Sequence, residues 1–154
     1  IFALLKLEAA GIAPDAALHR LGREAGLAGL SGVGSDLRDI REAAAAGDAR
    51  ARLAVDVFVE SLRHYIAAYL GVLNGADAIV FTGGIGQHQP AIRAAALDGF
   101  DYAGVKLDAA KNEAATGGDE HRIDASTSRS QVWVLPTNEE LIVARQTADV
   151  VRNN

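Results

Sequence analysis

An α/β fold is predicted by three observations. Residues 78–82, Ala-Ile-Val-Phe-Thr, form an apolar run of strand length rich in β-branched and aromatic residues. A long stretch with apolar residues at helical spacing, residues 49–73, precedes it. A Gly-rich segment, Gly83-Gly84-Ile85-Gly86, and a helix-compatible stretch over residues 90–97 follow it. A long helix feeding a buried strand and then another helix is the alternation of an α/β layout.

The elements follow in order. Residues 1–10 read as the end of a helix, stopped near Gly11. The chain opens at Ile1 with apolar residues already at helical spacing and holds no methionine, which predicts a piece truncated at its start. Pro14 opens a second helix with Asp15 in its first turn. Ala17, Leu18, Leu21 and Ala25 form its apolar face, and Gly26 and Gly29 are expected to end it. A Ser/Gly turn over residues 31–35 leads to a third helix over residues 36–46, with Ser35 or Asp36 as N-cap.

Gly47-Asp48 breaks the pattern before the longest helix. Its expected core stripe is Ala54, Phe58, Leu62, Ile66, Tyr69 and Leu73, and Asn74-Gly75 closes it. Val55, Val57, Val59 and Ala67 add apolar surface outside that stripe. Beyond residue 97, a short helix is expected over residues 107–113 and a turn at 116–119. Two short strands, 121–124 and 131–135, flank a Ser/Thr-rich loop, and Thr137 or Asn138 caps a last helix ending near residue 151. All 154 residues are read as one domain.

Composition narrows the function classes. A hydrophobic fraction of 49% with 23% charged residues is that of a soluble globular protein. No apolar run nears the roughly 18 residues of a membrane span. The start carries no signal-peptide pattern. The net charge of −5 argues against a general nucleic-acid surface. Cysteine is absent, so thiolate chemistry is excluded and a cytoplasmic location is expected. His19, His64, His88 and His121 have no metal-ligand spacing, and Tyr65 and Trp133 read as core aromatics.

The chemistry-bearing candidates are three blocks. A Gly-rich turn between a strand and a helix presents backbone N–H groups where an anion is favoured. The dinucleotide fingerprint fails, because Gln89 stands where its third glycine is needed, and no Gly-Lys-Ser/Thr follows for a Walker loop. On the residues alone a phosphate loop and a plain βα turn both stand. In Ser31-Gly-Val-Gly-Ser-Asp-Leu-Arg-Asp39, Asp36 is either a helix cap or an acceptor for a ligand hydroxyl, and Arg38 a solvated charge or a plane against a purine. In Pro136-Thr-Asn-Glu-Glu-Leu-Ile-Val-Ala-Arg145, Glu139 and Glu140 complement the dipole of the last helix, or one of them serves a cation.

In chain order, with residues 31–39 first, the Gly-rich segment second and residues 136–145 third, the three blocks resemble the C-terminal part of the acetate kinase family, of the acetate and sugar kinase, Hsc70 and actin superfamily. The resemblance covers residues 4–151, and Phe81-Thr-Gly-Gly-Ile-Gly86 followed by Pro136-Thr-Asn-Glu-Glu-Leu141 is its most specific part. It implies an actin-like (ribonuclease H-like) C-terminal domain of a two-lobed kinase. It implies the reaction ATP + acetate ⇌ ADP + acetyl phosphate, with Mg²⁺, in a homodimer. Residues matching Asp36, Leu37 and Arg38 border the adenosine in that family, and those matching Gly84, Ile85, Gly86, Gln87 and His88 pack against ATP. The counterpart of Glu139 helps hold Mg²⁺. Most members carry Glu-Asn where this chain has Gln87-His88. The family's catalytic arginines, Asp and His and its acid pocket lie upstream of Ile1. Propionate or butyrate as the acid substrate, and an inactive nucleotide-binding module, therefore remain as alternatives.

Overall fold

The computed structural model describes residues 2–152, Glu139 by its backbone alone. Two compact units divide the chain, Ile1–Leu62 and Arg63–Asn154.

The first unit is helical: α1 (Phe2–Ala9), α2 (Pro14–Arg23), α3 (Gly26–Ser31), α4 (Leu37–Ala45) and the first half of α5 (Ala49–Val72). Its core gathers Ile40, Ala51 and Ala54 with Leu27, Leu30, Ala43, Ala44 and Val55. Asp48 caps α5, its carboxylate accepting from the N–H groups of Arg50 (2.8 Å) and Ala51 (3.1 Å). The Arg50 guanidinium donates to the carbonyls of Leu30 and Gly29, the open end of α3.

Two expectations for this unit fail. Gly26 and Gly29 do not end α2, which stops at Arg23; they lie in α3. Gly29 is there for packing, since a Cβ on it would stand 2.7 Å from the Glu24 carbonyl oxygen. Of the expected face of α2 only Ala17 is buried, while Leu18 and Leu21 are exposed. The neighbouring α1 buries none of its residues, so that pair excludes little water.

The second unit holds the rest of α5, β1 (Ala78–Phe81), α6 (Gly83–His88), α7 (Pro90–Leu97), a 3₁₀ turn (Asp101–Ala103), α8 (Ala109–Ala114), β2 (His121–Arg122), β3 (Gln131–Val134) and α9 (Glu139–Arg152). The sheet order is β1-β3-β2. β1 runs parallel to β3, with Ala78 beside Gln131 and Phe81 beside Val134, and β2 is antiparallel to β3. A parallel pair needs a crossover, and α6 to α8 supply it. Leu97, Phe100, Val105, Ala115, Ile123, Val132 and Val134 form the core, with Ile66, Leu70, Ile79 and Phe81 packed on it.

The stripe expected on α5 is therefore corrected at its end. After Ile66 the burial passes to Leu70, and Tyr69 and Leu73 are 64% and 65% exposed. A 3.6-residue period permits either position 69 or 70 after 66, and leucine has no hydroxyl to keep wet. Asn74 and Gly75 take positive φ at the helix end, and Gly75 N–H returns to the Leu70 carbonyl at 2.8 Å. Tyr65, expected in the core, is exposed and sits edge-on to His64. Trp133 is half-buried, its indole N–H donating to Gln131 at 2.8 Å.

Asp124 ties β2 to β3. Its buried carboxylate accepts from Arg122 Nε (2.8 Å), Arg122 Nη2 (3.0 Å) and the Val132 N–H (3.0 Å). The Arg122 hydrogen bond holds the Asp124 carboxyl below its ordinary pKa, against an opposing push from burial. Asp124→Ala leaves the Val132 N–H buried without a partner and is expected to cost about 1–3 kcal/mol in denaturant unfolding. A depressed pKa is a stabilisation present above the unfolded carboxyl value of about 3.9 and lost as pH falls through the lower folded value. The Asp124→Ala variant should accordingly lose part of the parent's acid-range slope of stability with pH.

Candidate functional site

The Gly-rich segment is a helix rather than an open turn. β1 ends at Phe81, Thr82 is extended, and α6 begins at Gly83. Its three glycines serve different ends. Gly83 has φ +69°, in the left-handed region that glycine enters without strain. Gly86 is buried, and a Cβ there would stand 3.1 Å from the Phe81 carbonyl carbon, so its bareness lets α6 fold back on β1. Gly84 is exposed, and a Cβ on it would meet nothing within 4 Å. Among the described residues nothing demands a glycine at position 84. Ile85 and His88 are exposed beside it.

Gln87 straps this helix to the third block. The amide sense that satisfies its surroundings has the oxygen accepting from the Thr137 N–H at 3.2 Å and the Gly83 N–H at 3.3 Å. The fold thus brings the second and third blocks of the sequence together. Asn138 caps α9, its side-chain oxygen accepting from the Leu141 N–H at 3.0 Å. Glu139 is the first residue of α9, and its side chain lies outside the described residues. Glu140 is exposed. Among the described residues no group of three or more His, Cys, Asp or Glu is placed to hold a metal ion.

Arg93 is the residue that sequence reasoning passed over. It is fully buried in α7, and all five of its N–H groups are used. Nε donates to Asn112 Oδ1 (2.8 Å) and Nη2 to the carbonyls of Asn112 (2.6 Å) and Ala115 (2.9 Å). Nη1 donates to the carbonyls of Gly86 (2.7 Å) and Gln87 (3.0 Å). Burial lowers its pKa and Glu113 raises it. The available signal was one basic residue in an otherwise apolar, Ala-rich helix.

The first block lies in the first unit. Asp36 is the N-cap of α4, its carboxylate accepting from the Arg38 N–H at 2.8 Å. The Arg38 guanidinium folds back on the same carboxylate, with Nη2 2.6 Å from Oδ2, and both side chains are exposed. The hydrogen bond from the Arg38 side chain, aided by that from its backbone, brings the Asp36 pKa down to about 2. Leu37 is buried, which leaves its backbone to meet any ligand. Ser31 Oγ donates to the Gly34 carbonyl at 3.1 Å and accepts from the Val33 N–H at 3.1 Å, closing the turn before the helix.

The fold has counterparts among solved kinases. The acetate kinase of Porphyromonas gingivalis matches with a TM-score of 0.83 at 33% identity, over 96% of this chain and 37% of that one. A propionate kinase from Francisella tularensis matches with a TM-score of 0.77 at 32% identity, over 90% of this chain and 34% of that one. The fold is the actin-like α/β fold of these phosphotransferases. Residues 2–145 match the acetokinase family, and the chain belongs to it. A curated relative, the acetate kinase of Dictyoglomus turgidum, is 43% identical over 148 residues, 96% of this chain and 36% of the relative. The chain thus spans about a third of the length of the relatives it matches.

Proposed function

We propose that this chain is the nucleotide-binding part of an acetate kinase, a protein that transfers a phosphoryl group between ATP and acetate to give ADP and acetyl phosphate. The observation that carries this reading is the family match over residues 2–145. Gly84 supports it as an exposed glycine without an internal duty. With the Gly83 N–H taken by Gln87, a phosphate oxygen would meet the N–H groups that follow it at the start of α6 and the positive end of their dipoles. In this reading Gly84, Ile85, Gly86, Gln87 and His88 face the nucleotide, with Gly86 and Gln87 acting largely through the shape they give α6. By resemblance to the family, Asp36, Leu37 and Arg38 match residues that border the adenosine. Glu139 would be this chain's carboxylate toward Mg²⁺, which would supply neutralisation of phosphate charge; such a cation takes one or two carboxylates and keeps several waters. Phosphoryl transfer then rests on positioning and charge stabilisation.

The Francisella tularensis propionate kinase among the similar structures supports a second reading, with propionate, or by extension butyrate, as the acid. Self-association as a homodimer in the cytoplasm completes the proposal. Exposed Val57, Tyr65, Tyr69, Val72 and Leu73 on α5 give it apolar surface.

Calorimetric titration tests the core of the reading. ADP with Mg²⁺ should bind the complete protein, and NAD should not. Assays with acetate, propionate and butyrate should give the highest kcat/KM for acetate. Failure of ADP to bind would overturn the nucleotide assignment, and a preference for another acid would move the protein to the second reading.

A further inference from the structure

We infer that Arg93 is a positioning residue for the nucleotide, holding the glycine helix in the direction that phosphate contact requires. The inference rests on the nucleotide reading of α6 proposed above. A helix of six residues, three of them glycine, has little propensity of its own to persist. Its carbonyl end must be held from outside. Arg93 Nη1 does this by gripping the carbonyls of Gly86 and Gln87 together. The other edge of the same rigid fork grips the Asn112 and Ala115 carbonyls at the end of α8. Two helix ends thus share one cation, which also suits their negative dipole ends.

Asn112 fixes the plane of that cation. Its side-chain oxygen takes the Nε proton of Arg93, and its amide nitrogen donates to the Pro90 carbonyl at 3.0 Å. The three donors reaching α8 leave Nη1 no freedom to swing away from α6. The Gln87 strap to Gly83 holds the opposite end of the same helix. Nothing in this arrangement needs a carboxylate, since all five bonds of Arg93 end on carbonyl oxygens. A buried guanidinium spent on two helix ends places its effect on the geometry of α6 rather than on charge at the surface.

Kinetics and amide exchange in the complete protein test this. Arg93→Lys keeps the charge but loses the fork, so it cannot hold both helix ends. It should raise the nucleotide KM about ten-fold or more, the scale of one lost charge-assisted hydrogen bond. The acid KM should stay within about two-fold. Amide exchange should accelerate over residues 83–88. Asn112→Ser, which frees only Nε among the Arg93 donors and also removes the amide bond to Pro90, should produce a smaller rise of the same kind and serves if Arg93→Lys does not fold. A residue acting through global stability alone would lower the active fraction, and so kcat, with both KM values unchanged. Gly84→Val run in parallel separates two failures. If Gly84→Val raises the nucleotide KM and neither Arg93→Lys nor Asn112→Ser does, the positioning role is wrong. If Gly84→Val leaves it unchanged, the nucleotide reading of α6 is wrong.

Discussion

A purified polypeptide of these 154 residues is expected to make no detectable acetyl phosphate from ATP and acetate. Phosphoryl transfer depends on cationic groups set around the moving phosphoryl oxygens. Many of the chain's own guanidinium groups are already engaged. Arg38 lies on Asp36 and Arg122 on Asp124. Arg50 and Arg93 are bonded to backbone carbonyls at helix ends. By resemblance, the family's catalytic arginines, its Asp and His and its acid pocket have no counterpart in this sequence. Loss of even one preorganised donor of this kind costs about 10²–10³ in rate. A hydroxamate assay checks the result, with the complete protein as the positive control. Weak ADP binding by the same preparation would show that chemistry, and not folding, is what has been lost. Turnover by the 154-residue chain, free of longer protein, would overturn the argument.

The parts of the fold and site that were legible in the sequence are those fixed by local chemistry. Asp36 caps α4, Asn138 caps α9, Pro14 and Pro90 open helices, and Asn74-Gly75 closes α5. Each of these is decided by a side chain and its immediate backbone. The features that were missed depend on partners distant in the sequence or on packing. Glycine is the weakest helix former after proline, so Gly83 to Gly86 read as a turn. They form a helix because Gly86 sits against Phe81 and Arg93 grips the helix end. Gly29 looked like a stop and is instead a point of close contact with Glu24. The choice between Tyr69 and Leu70 on α5 was left to the core of the second unit, which the period alone does not specify. The buried state of Arg93 was hidden for the same reason, since its five acceptors come from α6, α8 and the residue after α8.

Valine at position 84 and valine at position 86 are expected to weaken nucleotide binding for opposite reasons. Gly84→Val puts a branched side chain into open space, so folding has nothing to lose. Inside a helix, valine is even a few tenths of a kcal/mol better than glycine. The thermal midpoint should hold or rise slightly, while the ADP dissociation constant should climb by about ten-fold or more, because the β-carbon bars close approach of a phosphate to the backbone. Gly86→Val meets the protein before it meets any ligand. Its Cβ would lie 3.1 Å from the Phe81 carbonyl carbon, and backbone cannot move aside as a flexible side chain would. Overpacking of this kind costs about 1–3 kcal/mol, and α6 would have to lift off β1 to relieve it. Gly86→Val should therefore lose stability and binding together. Calorimetry with ADP beside thermal unfolding of the two variants distinguishes these cases. If Gly84→Val binds ADP as well as the parent, the exposed edge of α6 is not where the phosphates sit. If Gly86→Val is as stable as the parent, α6 does not pack on β1 through that position. The opposed stability effects make the pair more informative than either variant alone, since binding lost at position 86 by itself would not separate a missing contact from a displaced helix.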